Sequence, residues 1–210
     1  NGRTTLAYYF LVTYDVKFND HVEHRESYSE INNVGVISRY VLSLEANRGP
    51  IGSRISLLGR GFTPQDVIYF DSMPVRTVYE STTSLSFFVP TLSASQNYQV
   101  TLGSVNGNTS VGTFRIDASG LTVTPTSLYL RTGDIQTLTF TVQNPAPMGG
   151  LLLDVTTDVP ESVIMAEVIV PAGQTTVSVD VQGGRPDSGS LFLKGYEAGQ
   201  VTIPVTVTAK

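Results

Sequence analysis

Apolar and polar residues alternate with a period of two along almost the whole chain, and no stretch repeats its apolar positions at the spacing of a helix face. The pattern predicts an all-β protein. Between Ile51 and Ile116 it marks strands at residues 54–58, 67–70, 75–79, 84–89, 98–104 and 109–116, with turns at 59–61, 71–74, 90–96 and 106–107. Asn106-Gly107 is the strongest hairpin signal, because a type I′ turn needs positive φ at both central residues.

A second series follows at residues 121–124, 127–130, 137–142, 151–156, 163–170, 175–181, 190–195 and 201–207, punctuated by prolines and by Gly133, Gly173 and Gly183-Gly184. In Val177-Ser178-Val179-Asp180-Val181 and Val201-Thr202-Ile203-Pro204-Val205, apolar side chains point one way and polar ones the other, as in half-buried antiparallel strands. So many strands at this spacing imply a sandwich. Pro204 is expected at an edge or bulge, since proline donates no ladder bond. The short polar stretch 117–120 is the expected domain boundary, with a limited hinge and the neighbouring sandwiches stacked end to end.

Strand 54–58 runs into Gly59-Arg60-Gly61-Phe62. The glycines read as a packing device: positive φ or close backbone approach ends the strand, and Phe62 folds back to plug the sandwich. A phosphate-cradling loop would need a helix to follow, and the pattern predicts none. Gly49-Pro50, Ile55 to Phe62, Val67 to Phe70, Pro74-Val75, Ser84 to Pro90, Tyr98 to Leu102 and Gly112-Thr113-Phe114 together resemble the IPT/TIG family of immunoglobulin-like domains over residues 48–117. Asp71-Ser72 departs from that family's frequent glycine pair, which leaves the turn type there open. The resemblance implies surface receptors and secreted enzymes as the usual hosts. Residues 121–210 resemble bacterial immunoglobulin-like surface domains through their alternation and the Val170-Pro171-Ala172-Gly173 turn.

Residues 1–47 are read as a separate N-terminal strand pair. The run Leu6 to Tyr14, a polar loop, and then Glu26-Ser27-Tyr28-Ser29 resemble the last two strands of a fibronectin type III domain. Two strands alone are marginal in water. This segment is therefore expected to complete a sheet with the neighbouring sandwich or with another copy of the chain, with Tyr8 and Phe10 as interface residues.

Composition narrows the function. The 210 residues divide naturally into two ordinary domains, and 40% apolar, 15% charged, 19 Gly and 11 Pro suit a β-rich chain cut by many turns. The net charge is −5; residues 121–210 carry eight acids against four bases and residues 1–120 ten against nine. With three lysines and no basic cluster, nucleic acid and anionic membrane surfaces are poor partners. No cysteine is present, which removes disulfides, thiolate zinc sites and thiol nucleophiles and fits a secreted protein stabilised by core size alone. The longest apolar run, residues 6–12, is too short to span a bilayer. A chain starting at Asn1 reads as a processed product or an excised fragment.

Candidate chemistry is sparse. His21 and His24, the only histidines, lie in Asn19 to Glu26, a stretch expected to be a solvated hairpin loop. Their spacing is not that of a metalloprotease helix, and no serine is marked as a partner for a triad. Asp66, Asp71, Asp134, Asp154, Asp158, Glu161 and Asp187 sit at turns, where carboxylates usually cap backbone amides. Calcium at an inter-domain turn needs only hard oxygen ligands, but no Asp-x-Asp-x-Asp loop is present, and no cofactor is implied. Tyr69 and Phe88 are expected to point outward, either as a glycan platform or under a covering partner. Asn108-Thr109-Ser110 is a glycosylation sequon at a hairpin.

The expected fold is thus tandem immunoglobulin-like β-sandwiches with an N-terminal strand pair. The expected function is a non-catalytic extracellular or cell-surface structural or adhesion module, a spacer or filament subunit. It would meet protein partners or copies of itself through sheet edges. The alternative is a carbohydrate-binding accessory module of a secreted polysaccharide-degrading enzyme.

Overall fold

The computed structural model describes residues 3–37, 39–197 and 199–210. The chain divides into two compact units, Asn1–Tyr40 and Val41–Lys210. Every regular element among the described residues is a strand.

The first unit holds β1 (Arg3–Tyr8), β2 (Leu11–Phe18), β3 (His21–Tyr28) and β4 (Asn32–Ile37). β1 pairs antiparallel with β4, and β2 with β3, as separate two-stranded sheets. The expected single strand over 6–14 is broken at Tyr9-Phe10, where the chain passes from one ribbon to the other. The expected polar loop is also corrected, because His21 and His24 lie on strand β3. Only Asn19-Asp20 turns, with Asn19 at φ 39°, a conformation asparagine tolerates better than most residues. The side chains of this ribbon face water on both sides, so its polar sequence concealed a strand.

The second unit begins with nine strands in two sheets. They are β5 (Tyr40–Leu44), β6 (Arg48–Pro50), β7 (Arg54–Arg60), β8 (Val67–Phe70), β9 (Met73–Pro74), β10 (Thr77–Ser81), β11 (Ser84–Phe88), β12 (Gln96–Ser104) and β13 (Gly107–Asp117). One sheet has the order β10-β11-β7-β5 and the other β6-β13-β12-β8-β9. Between them Phe70, Phe87 and Phe114 meet edge-to-face at 5.6 to 6.3 Å, an arrangement their ring quadrupoles favour. Phe62 is 2% exposed in the same core, as expected of a plug. β7, however, runs on through Gly59 to Arg60, and of the two glycines only Gly61 takes positive φ. The Asn106-Gly107 hairpin is shifted by one residue: Val105 and Asn106 turn, Ser104 opposes Gly107, and Gly107 alone has positive φ. Asp71-Ser72 forms a two-residue turn with Asp71 at φ 53°.

Ten strands follow: β14 (Leu121–Thr124), β15 (Leu128–Arg131), β16 (Ile135–Val142), β17 (Leu151–Leu153), β18 (Thr156–Thr157), β19 (Val163–Met165), β20 (Val168–Val170), β21 (Thr176–Gly183), β22 (Asp187–Tyr196) and β23 (Gly199–Thr208). The sheets β14-β16-β21-β19 and β15-β23-β22-β18 and the pair β17-β20 enclose a second core around Leu128, Leu138, Phe140, Val181 and Leu193. β23 is an interior strand. Pro204 lies opposite Ser190 of β22, one residue before the parallel ladder with β15 begins at Val205.

Three expected strands are shortened or split, each where the chain changes sheet. Residues 75–79 become strand only from Thr77, because Val75-Arg76 carry the chain from β9 beside β8 to β10 beside β11; 151–156 divides at Asp154-Val155; 163–170 divides at Ala166-Glu167. The two sandwiches also share backbone. Ser53 bridges Leu151, the Arg54 amide donates to Gly150 O (3.2 Å), and the Leu152 amide donates to Gly52 O (2.9 Å). A Cβ on Gly149 would stand 2.3 Å from Arg54 O, and one on Gly52 would stand 1.9 Å from Leu152 O, so both positions require glycine. The junction is therefore more than the linker at 118–120.

Candidate functional site

The three crossovers line one cleft of ≈ 610 Å³ beside the shared backbone. Met73, Pro74, Val89, Leu152, Val155 and Met165 supply apolar walls, while Arg76, Glu167 and Asp154 supply charge. Arg76 lies on the first sandwich and Glu167 on the second, with Nη1 and Oε1 2.5 Å apart. Both side chains are more than half exposed, so this ion pair alone contributes at most about 1 kcal/mol. The Arg76 guanidinium also sits 4.8 Å from the Phe88 ring centroid, and that of Arg54 6.0 Å from the same ring. Arg54 extends the array by donating to Ser86 Oγ (3.0 Å) and pairing with Glu80. The Ser86 hydroxyl (2.7 Å) and the Arg54 guanidinium hold the Glu80 carboxyl below its ordinary value of 4.5.

Phe88 leaves the core as expected, on the face opposite Phe87, but the two guanidiniums flank its ring. Tyr69 alternates out of the other sheet and lies over Gly103, where an added Cβ would come within 2.6 Å of Tyr69 Cε2. The two rings stand on different sheets, so the fold does not bring them together as one platform. Tyr8 and Phe10 do meet, edge-to-face at 5.9 Å, and are 40% and 65% exposed. His21 and His24, three apart on one strand, point to opposite faces, and His24 Nδ1 hydrogen-bonds Asp15 Oδ1 across the ribbon. Among the described residues no group of three or more His, Asp or Glu is placed to hold a metal ion. Asn108 is exposed on β13 beside its hairpin turn.

The turn carboxylates cap amides. Asp66 accepts from Thr63 N (2.8 Å), Asp71 from Gln99 N (2.9 Å), Asp134 from Arg131 N (3.2 Å) and Asp158 from Ser190 N (2.7 Å). Asp154 instead stands near Tyr196, a buried phenol that burial and this carboxylate push above its ordinary value of 10.0. Sequence reasoning passed over Arg76, Glu167, Gly52 and Gly149. The doublet Gly149-Gly150 was the one visible sign, and it does not name the strand that approaches it.

The family model of the TIG domain matches residues 38–116. Residues 38–116 are a TIG domain. The match includes β5, which lies beside β7 ahead of the start expected at 48. No curated protein sequence matches the chain. Among solved structures, domains 4 and 5 of the S-layer protein SbsC share 18% identity over 68% of this chain and 99% of that one, with a TM-score of 0.36. SGBP-B of the Bacteroides ovatus mixed-linkage glucan utilization locus, in complex with a mixed-linkage heptasaccharide, shares 12% over 98% of this chain and 60% of its own, at 0.33. The plexin A4 extracellular region shares 13% over 86% of this chain and 17% of its own, at 0.39. No helix among the described residues is long and apolar enough to cross a membrane.

Proposed function

We propose that the chain is a non-catalytic structural or adhesion module of an extracellular or cell-surface protein, in which the TIG domain and the following sandwich act as a stiff spacer or as part of a filament subunit. The observation that carries this reading is the backbone pairing across the junction, Ser53 to Leu151 with its flanking bonds at Arg54 and Leu152. Domains joined by a linker alone move relative to one another by default; direct backbone bonds and a close fit at Gly52 and Gly149 oppose that motion. Residual dipolar couplings should report one relative orientation of the two sandwiches, and Gly149→Val should release it while each sandwich stays folded. A wild-type chain that samples many orientations overturns the spacer.

The cleft favours a second reading, the carbohydrate-binding accessory module. Its volume suits a small ligand, and an aromatic ring, a guanidinium and two carboxylates converge on it. Binding on a glycan array that Phe88→Ala abolishes would support the module. An array with no binding removes it.

A further inference from the structure

In the first unit, β2 pairs with β3 alone among the described residues, so its other edge is open. The two outer edges of this ribbon are not alike. β3 carries Glu23, His24, Arg25 and Glu26 in succession, the kind of charged run that guards a strand against further pairing. β2 reads Leu-Val-Thr-Tyr-Asp-Val-Lys-Phe, β-branched and aromatic, with one acid and one base. Eight residues long and largely apolar, it has the character of a strand that adds to another sheet.

The phase of the ladder shows what that edge offers. The Ser29 amide donates to Phe10 O (2.9 Å), so Phe10 directs its carbonyl toward β3, and by alternation so do Val12, Tyr14, Val16 and Phe18. Leu11, Thr13, Asp15 and Lys17 turn their N–H and C=O groups to the open side. We propose that β2 pairs antiparallel with β2 of a second copy of this chain about a two-fold axis at Tyr14. The inference rests on the reading of the chain as an assembling structural module. In this register Thr13 exchanges bonds with Asp15 of the other copy and Leu11 with Lys17, which uses every outward group of the strand. On one face Tyr14 meets Tyr14, Val12 meets Val16 and Phe10 meets Phe18, forming a continuous apolar stripe. Four of those side chains are now exposed, Val12 57%, Tyr14 47%, Phe18 50% and Phe10 65%, and Val16 is partly buried. Centring the axis on Asp15 would oppose two carboxylates, and pairing through β3 about Arg25 would oppose two guanidinium groups. The Tyr14 register avoids both.

The test is sedimentation of the full chain over a concentration series, with two variants. Wild type and Glu26→Gln, altered on the guarded edge and on the face away from Tyr14, should reach a dimer, and Tyr14→Lys, which would oppose two ammonium groups, should stay a monomer. Because the chain has no cysteine, Tyr14→Cys gives a single thiol. Residues directly opposite in a non-hydrogen-bonded pair lie about 4.5 Å apart at Cα, within disulfide reach. Air oxidation should therefore link Tyr14→Cys into covalent dimers faster than Val22→Cys on β3. A wild-type chain monomeric to about 100 µM, weaker than any affinity of use here, overturns the pairing. So does a dimer that survives Tyr14→Lys, or equal cross-linking of the two cysteine variants, an arm that holds even where the lysine variant misfolds. The dipolar couplings of the junction are read separately, so a monomer with a rigid junction removes this pairing and leaves the spacer.

Discussion

Tyr196 is 6% exposed, and its hydroxyl has no hydrogen-bond partner among the described residues. A buried hydroxyl without a partner has lost its water at a cost of about 1 to 3 kcal/mol. Tyr196→Phe keeps the ring's packing and removes that cost, so it should raise thermal stability by about 1 kcal/mol, read as a higher Tm in calorimetry. A loss of stability would mean that the hydroxyl has a partner after all. Single residues were legible in the sequence where their requirement is local. Phe62 behind Gly61 and the capping carboxylates of Asp66 and Asp134 answer to neighbours within a few positions. Gly149 answers to a carbonyl on Arg54, distant in the chain, and nothing in its own surroundings announces that.

Between elements, the cluster on β10, β11 and β7 has a pH dependence of definite sign. Ser86 and Arg54 lower the folded-state pKa of Glu80 below its ordinary value of 4.5. The stabilisation is therefore fully present above that value and is lost as the pH falls through the folded one. The Tm difference between wild type and Glu80→Gln should be largest near neutrality and close as the pH falls below the ordinary value and on through the folded-state one; a gap that persists in acid would place the effect elsewhere. Strands buried on one face, such as β8 and β14, could be read from alternation alone because burial enforces it. The crossovers at Arg76 and Asp154 were hidden for the same reason, since a chain that keeps its inward side chains inward while changing sheets leaves the alternation intact; at Ala166-Glu167 the inward set shifts phase, from Val163 and Met165 to Val168 and Val170, within a run of mostly apolar residues that masks the shift. The walls of the cleft are built from those hidden breaks, so the sequence showed the fold more readily than the site.

For the molecule as a whole, tandem sandwiches followed from strand number and turn spacing, whereas the backbone pairing at Ser53 and Leu151 depends on loops of two sandwiches meeting, which no local pattern encodes. Parallel pairing was equally silent in the sequence, and it has a mechanical outcome. β6 runs parallel to β13, and β15 runs parallel to β23, so in each sandwich an entering strand lies alongside the departing one. A pull on the two ends of the chain drags such strands lengthwise past each other. Their bonds must then give way together instead of opening one after another like a zipper, and the pairs become the points where the protein holds under tension.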